Sequence, residues 1–566
     1  MAVARGLAQR IGAGVRTLPN LRFTLTPWTL LTGVSVFLVL LPLLSILVGV
    51  FGEPSETWQH LSATVLQDYV VNSFILIVGV GGLTLLMGIS SAWLVTACDF
   101  PLRRAFEWAL VLPLAIPTYI VAYTYAELLA HTGPAQAFLQ LFLDPLTTAR
   151  IRTGLMSVGG VTVMMSLVLY PYVYLITRAS FLKQTGGVLE TARILGKSPW
   201  ASFFRVALPM ARPGIVAGVT LVLMEVLNEY GAVAYFGVPT FTLGIFRAWF
   251  SLGDADAAIR LSACLLLFVF ALILIERAQR GRARFDDARG GSGPPSRFAL
   301  SGIKGWAAFG ACAFPVALGF VLPVIQLLAW SFATAPEFLD REFLSLALNS
   351  FGLALGAALL TVITALLVVY TVRLHPTPLH RMAERISVLG YSIPGAVIAV
   401  GVLIPFIRVD AWVDDFASRF LGFSTGLLIT GTVVSLLYAY VVRFLAVALN
   451  PVESGFKRLC GNLDEMSRSL GASPSRTLFR VNLPLLKGTL VSAALLVFVD
   501  VLKELPLTLI LRPFDFDTLA TKAFQLASDE LVAQSAHPAL LIILAGILPV
   551  ILLNRLMGRS HGREEG

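Results

Sequence analysis

The sequence predicts an all-α polytopic membrane protein of about twelve transmembrane helices, built as two parallel six-helix repeats. Three observations carry this prediction. The 566 residues are 57% hydrophobic and only 13% charged, against about 25% charged in a soluble domain. Apolar runs long enough to cross a hydrocarbon core about 30 Å thick recur along the whole chain. One polar segment also occurs twice. "ETARILGKSPWASFFRVALP" (190–209) and "EMSRSLGASPSRTLFRVNLP" (465–484) are identical at 11 of 20 aligned positions, 275 residues apart.

In chain order, spans are expected at 28–50, 70–97, 106–131, 154–178, 212–237 and 258–276 in the first half. In the second half they are expected at 303–332, 348–372, 386–407, 423–442, 488–511 and 538–557. The first run is too long for a signal-peptide core, and no small-residue cleavage site follows it, so it reads as a span. The stretch "ERAQRGRARFDDARGGSGPPSRF" (276–298), which covers most of the expected linker 278–302, is basic and then Gly/Ser/Pro-rich, the composition of a flexible linker. The expected organisation is a tail (1–27), a first half (28–277), this linker, a second half (303–557) and a second tail (558–566). The four cysteines, Cys98, Cys264, Cys312 and Cys460, are scattered and suggest neither disulfides nor a metal site.

The net charge of +9 is a topology signal. Lys and Arg concentrate in the two tails and the even-numbered loops, whereas odd-numbered loops carry Glu53, Glu56 and Asp68 or Asp410, Asp414 and Asp415. The positive-inside rule then puts both termini in the cytoplasm. The lipid bilayer is the partner this charge serves, and nucleic acid is not expected.

The halves repeat beyond the quoted segment. Asn72-Ser73 matches Asn349-Ser350, and Pro117 matches Pro394, both at an offset of 277. "YPYVYLITRASF" in the fourth span echoes "YAYVVRFLAVAL" in the tenth. Six spans per half preserve orientation, so the repeat is parallel about an axis along the membrane normal. The duplicated loops (179–211 and 443–487) are then both cytoplasmic. In each, a helix ends at Gly196 or Gly471, where glycine accepts the positive φ of a C-terminal turn. A proline soon follows, and a second short helix leads into Leu208-Pro209 or Leu483-Pro484. A polar loop ordinarily just connects spans. That explains neither the length nor the matched duplication, and two docking knuckles for a two-fold soluble partner explain both.

At this point the chain resembles a family. Glu190 and Glu465, six residues before Gly196 and Gly471, with Pro209 and Pro484 beyond, resemble the "EAA" loop of binding-protein-dependent ABC importer permeases. Thr191-Ala192 and Met466-Ser467 replace its two alanines. The run "DVLKELPLTLILRPFDFDTLATKAFQLASDE" (500–530) is similar to the end of ferric-iron importer permeases, and "NEYGAVAYFGVPTFTLGIFRAWFSLGD" to their matching segment. The resemblance implies two permease halves fused in one chain, multi-pass in a bacterial inner membrane, moving ferric iron inward by alternating access. It implies a cytoplasmic ATPase dimer docked on the loops and a periplasmic substrate-binding protein outside. No cofactor is expected on this chain; ATP and Mg would sit on the ATPase. Thiamine, a phosphonate or a polyamine are the alternative cargoes.

The chain carries no engine of its own. A P-loop ending at Gly196-Lys197-Ser198 would need glycine at 191, which is Thr. No catalytic constellation is visible, so the protein is expected not to be an enzyme. An ion-coupled secondary transporter would also have repeats and buried charge, but would not need a docking loop in each half.

Ionisable groups inside spans mark a path or a paired network. The fifth span carries Glu225, Asn228 and Glu229, and the eleventh carries Asp500, Lys503 and Glu504, in matching register at offset 275. On a continuous helix, carboxylates four apart share a face. Two readings stay open: a polar lining of the translocation path, or groups that only hold helices together, with Lys503 neutralising Asp500 or Glu504. A tight metal site is not assigned, because conduction needs weak binding. Tyr119, Tyr123 and Tyr125 read as interfacial belt aromatics in preference to a role in the path.

Overall fold

The computed structural model describes residues 26–131, 133–184, 195–196, 198–280, 297–338, 341–460 and 462–547. Almost all of it is helix. Among the described residues, ten helices are long and apolar enough to cross a membrane. The third expected span is a broken pair, Arg103–Ala115 and Thr118–Leu128, bent by 88°. The twelfth is helical over Ala536–Ile547, and its remaining residues lie outside the described ones.

Proline sets the matched breaks. In the first half a 3₁₀ turn, Leu112–Ala115, leads to Ile116 in extended backbone and Pro117 at the head of Thr118–Leu128. In the second, Leu389–Ser392 leads to Ile393 and Pro394 at the head of Gly395–Phe420. A residue before proline is pushed out of the helical region. The ninth span therefore starts at Gly395 and not at 386, although the apolar run begins earlier.

The tenth span corrects the sequence reading by about ten residues. The helix runs Val433–Arg458. Residues 421–432 form a loop instead, with Gly422, Gly426 and Gly431 at positive φ. Asp410, itself buried, accepts from the backbone N–H groups of Leu428, Ile429 and Thr430 at 3.2, 3.0 and 2.8 Å and pins this loop. The loop drawn at 443–487 is shortened accordingly, and Arg443 lies inside a span. In the first half the fourth helix likewise continues to Gln184.

The first span of each half packs on the other half. A Cβ on Gly401 of the ninth span would lie 2.5 Å from the Pro42 carbonyl oxygen of the first. The Ser45 hydroxyl donates to the Gly401 carbonyl at 2.5 Å, and Thr32 donates to Thr371 at 2.8 Å. Reciprocally, the seventh span, broken by a π turn at Ala317–Val321, lies on the first half. There the Tyr125 hydroxyl donates to the Leu318 carbonyl at 2.7 Å. The end of the expected linker is held too: Phe298–Ala299 pairs in parallel with Cys98–Asp99. Residues 281–296 of that linker lie outside the described residues.

Candidate functional site

The fifth and eleventh spans stop where they were expected to continue. The fifth helix, Leu208–Asn228, ends at Glu229, which is extended, and a short helix restarts at Gly231–Tyr235. The eleventh, Leu483–Leu502, ends at Lys503, and a short helix restarts at Pro506–Leu511. Glu229 and Glu504 thus lie beyond the helix ends, so neither shares a helical face with the carboxylate four residues before it. The four-residue spacing assumed an unbroken helix.

Each of these glutamates caps the restarted helix. Glu229 Oε1 accepts from the Ala232 N–H at 2.8 Å, and the Thr118 hydroxyl donates to its other oxygen. Glu504 accepts from the Leu507 and Thr508 N–H groups at 3.1 and 3.0 Å and from the Thr508 hydroxyl at 3.0 Å. First-turn N–H groups have no partner within their own helix, and a carboxylate there is stabilising. Close backbone approach completes the junction: a Cβ on Gly231 would lie 2.5 Å from Tyr119 Cβ, and one on Gly395 would lie 2.7 Å from Glu504 Oε1.

Between the two breaks is a cavity of about 100 Å³. All six intramembrane positions singled out by sequence, Glu225, Asn228, Glu229, Asp500, Lys503 and Glu504, line it. Asn228 reaches across the halves and accepts from the Gly395 N–H at 2.7 Å. Lys503 pairs with Asp500 at 2.8 Å and not with Glu504. The cation beside Glu504 is Arg443, with Nε 3.9 Å from Oε1 and both side chains buried. Arg443 also donates to the Ile393 carbonyl at 2.9 Å.

Sequence reasoning missed Arg443 because it ended the tenth span one residue earlier. The signal was an arginine flanked by apolar residues in "YAYVVRFLAV". It also missed Tyr172 and Tyr391, which line the cavity. The belt reading of the tyrosines is corrected: Tyr119 and Tyr123 are buried at 3% and 0% exposure, Tyr125 is partly buried, and Tyr119 lines the cavity.

At the end of the molecule carrying the duplicated loops, Gly196 and Gly471 have φ of +73° and +80°, with open space where a Cβ would stand. Backbone sign, not crowding, calls for glycine here. The Gly471 N–H closes Asn462–Ser469 by donating to the Arg468 carbonyl at 2.9 Å. Both loops re-enter through matched π turns, Phe203–Ala207 and Leu478–Asn482. Pro209 and Pro484, each lacking an N–H, follow in the first turn of the next helix. Exposed apolar side chains crown the knuckles: Trp200 stacked on Phe204 at 6.0 Å in one, Met466, Leu470 and Phe479 in the other. Glu465 is exposed on the second knuckle. Glu190 lies outside the described residues.

The family model for binding-protein-dependent transport system inner membrane components matches the chain twice, over residues 84–281 and 357–563. The chain belongs to that family. This inner membrane component is a transporter subunit and not an enzyme. It is 27% identical over 497 residues to the Fe(3+)-transport system permease protein FbpB 2 of Haemophilus influenzae, covering 87% of this chain and 90% of that one. It is 22% identical over 502 residues to the ferric transport system permease protein FbpB of Actinobacillus pleuropneumoniae, covering 82% and 68%. It is 32% identical to the sulfate transport system permease protein CysT of Escherichia coli over 232 residues, 39% of this chain and 76% of that one. The first two relatives align over most of this chain, the third over well under half of it.

Proposed function

We propose that the chain is the permease of an ATP-driven importer that moves ferric iron inward. The observation that carries this reading is the near end-to-end similarity, across both halves, to permeases named for ferric transport. The knuckles, with glycine at left-handed φ and exposed apolar crowns, are the surfaces for a cytoplasmic ATPase dimer, which would hold ATP and Mg. Glu190, Gly196 and Pro209, with Glu465, Gly471 and Pro484, belong to those surfaces. The distribution of Lys and Arg supports both termini lying in the cytoplasm of a bacterial cell. The opposite face then meets a periplasmic binding protein loaded with iron.

Alternating access follows from the two-half construction. When ATP closes the ATPase dimer, the knuckles approach each other and the halves part on the far side of the cavity. Hydrolysis restores the inward-facing state. A ligand shifts such an equilibrium only by its differential affinity for the two states. The loaded binding protein must therefore prefer the outward-open form. The short helices after Glu229 and Glu504 sit at the seam and move with it.

The test is reconstitution of the chain with its ATPase and binding protein in vesicles. ATP-dependent uptake of radioiron is expected. ATP-dependent uptake of sulfate, with none of iron, would replace the ferric reading by the one the shorter relative's name suggests.

A further inference from the structure

We propose that Glu225, Tyr172 and Tyr391 form a weak oxygen-donor site for the ferric ion inside the central cavity, at the seam between the halves. The inference rests on the ferric reading above and assigns the cargo's contact residues within it.

Contact pairing sets Glu225 apart from the other carboxylates of the cavity. Lys503 compensates Asp500, and Arg443 stands beside Glu504. Backbone and hydroxyl donors satisfy Glu229. Glu225 lines the same cavity and makes no ion pair among the described residues. Its neighbour is the Tyr391 hydroxyl. Arg443 and Lys503 act on Glu225 from across the cavity, but among the described residues neither makes a contact pair with its carboxylate, which leaves it able to take up an arriving cation.

The tyrosines turn an acidic position into a site for one class of ion. Tyr172 and Tyr391 lie within electrostatic range of each other and of both Glu225 and Asp500, one tyrosine from each half. Carboxylate and phenolate oxygens are hard donors and suit a hard, highly charged cation. A further, independent feature points to a ligand. Tyr119 is 3% exposed and lines this cavity, and its hydroxyl has no hydrogen-bond partner among the described residues. A buried hydroxyl left unpaired is disfavoured unless something visits it. Arg443 and Lys503 keep the site from becoming a trap, since a passing ion must leave as readily as it enters.

Binding is coordination without electron transfer. Each tyrosine that ligates gives its phenolic proton to water as the iron–oxygen bond forms, and the iron stays ferric. When the ion leaves, the proton returns.

Two measurements on the full chain test this. The purified protein in nanodiscs is titrated with ferric nitrilotriacetate and scanned for a tyrosinate-to-iron charge-transfer band in the visible. The band is expected in the unmodified protein, is expected to weaken in Y391F and in E225Q, and is expected to disappear in the double variant Y172F/Y391F. Radioiron uptake by cells carrying each variant at equal membrane level is then compared, with a loss of at least tenfold expected for E225Q. Y391F removes a single oxygen and keeps the ring, so it guards against a folding failure of E225Q. Absence of the band in the unmodified chain overturns the site, as does normal iron uptake by both E225Q and Y391F. If the unmodified chain carries another cargo and no iron, the transport reading falls and the site with it.

Discussion

The second knuckle is tied to the eighth span, Arg341–Leu374, by charge. Arg373 Nε lies 2.5 Å from Asp464, Asp464 also accepts from Asn482 at 3.2 Å, and the Tyr370 hydroxyl donates to the Pro474 carbonyl at 2.7 Å. At the matching positions the first half has Thr96, Leu189, Ala207 and Trp93. There Trp93 packs on Phe203 at 4.9 Å and on Phe181 at 5.6 Å. The backbone is duplicated closely, down to a π turn and a left-handed glycine, while the groups holding it have changed from an ionic network to an aromatic cluster. The geometry is what the two sites share, and either kind of contact supplies it. The same contrast appears at the breaks: Glu504 has a buried arginine beside it, whereas Glu229 is met by a hydroxyl and an N–H.

The break comparison gives the largest expected effect. Glu504→Gln leaves Arg443 buried without its anion, and breaking a buried pair costs about 3–5 kcal/mol. Glu229→Gln keeps an acceptor for Ala232 and strands no cation, so about 1 kcal/mol is expected. Membrane level and thermal unfolding midpoint of the two variants read the difference. Equal losses would mean that the halves are alike where the structure makes them differ.

The knuckles give the next effect. Asp464→Ala removes a charged hydrogen-bond acceptor from both Arg373 and Asn482, a loss of about 1.5–3 kcal/mol. Hydrogen exchange should rise over residues 462–482 and not at the first knuckle. Trp93→Leu removes two aromatic contacts, each worth about 0.5–1.5 kcal/mol beyond area, and should loosen only the first knuckle. Raising salt separates the two cases further, because it screens the part-exposed ion pair and leaves the aromatic cluster as it was.

The smallest effect should be the same in both halves. Gly196→Ala and Gly471→Ala each place a Cβ at left-handed φ, a strain of about 1–2 kcal/mol, with no clash to add. Gly471→Trp should cost the fold little more than Gly471→Ala, yet interfere with a docked ATPase. Copurification of the ATPase compared across these variants separates strain from docking. Equal copurification with Ala and Trp would remove this face from the docking surface.

Much of this architecture was legible because it is duplicated. Two copies of Leu-Gly, Ser-Pro and Leu-Pro at one offset cannot both be incidental, and they mark both knuckles in the sequence. The paired charges of the fifth and eleventh spans were legible for the same reason, and one cavity gathers them all. The breaks beside them were not. Glu229 and Glu504 look like helical residues because the chain stays apolar past them; their capping shows only once the Ala232, Leu507 and Thr508 N–H groups are placed. Arg443 was misplaced because hydropathy alone ends a span at a charge, and only Glu504 on another helix makes it tolerable there. Apolar runs also do not say which neighbour they pack against, so the exchange of first spans left no mark in the sequence.

That exchange has a consequence for biosynthesis. The first span, Pro27–Gly49, finds its seat on Gly395–Phe420. At a synthesis rate of about 5–20 residues per second, roughly 20–70 s separate the emergence of the two. For that interval the first span lies in the bilayer with lipid where most of its protein seat belongs, and a ribosome that stalls in the linker leaves a half whose opening helix touches the sixth span but lacks the rest of its seat. The seventh span meets no such delay, since the half it packs against has already been made when it leaves the ribosome.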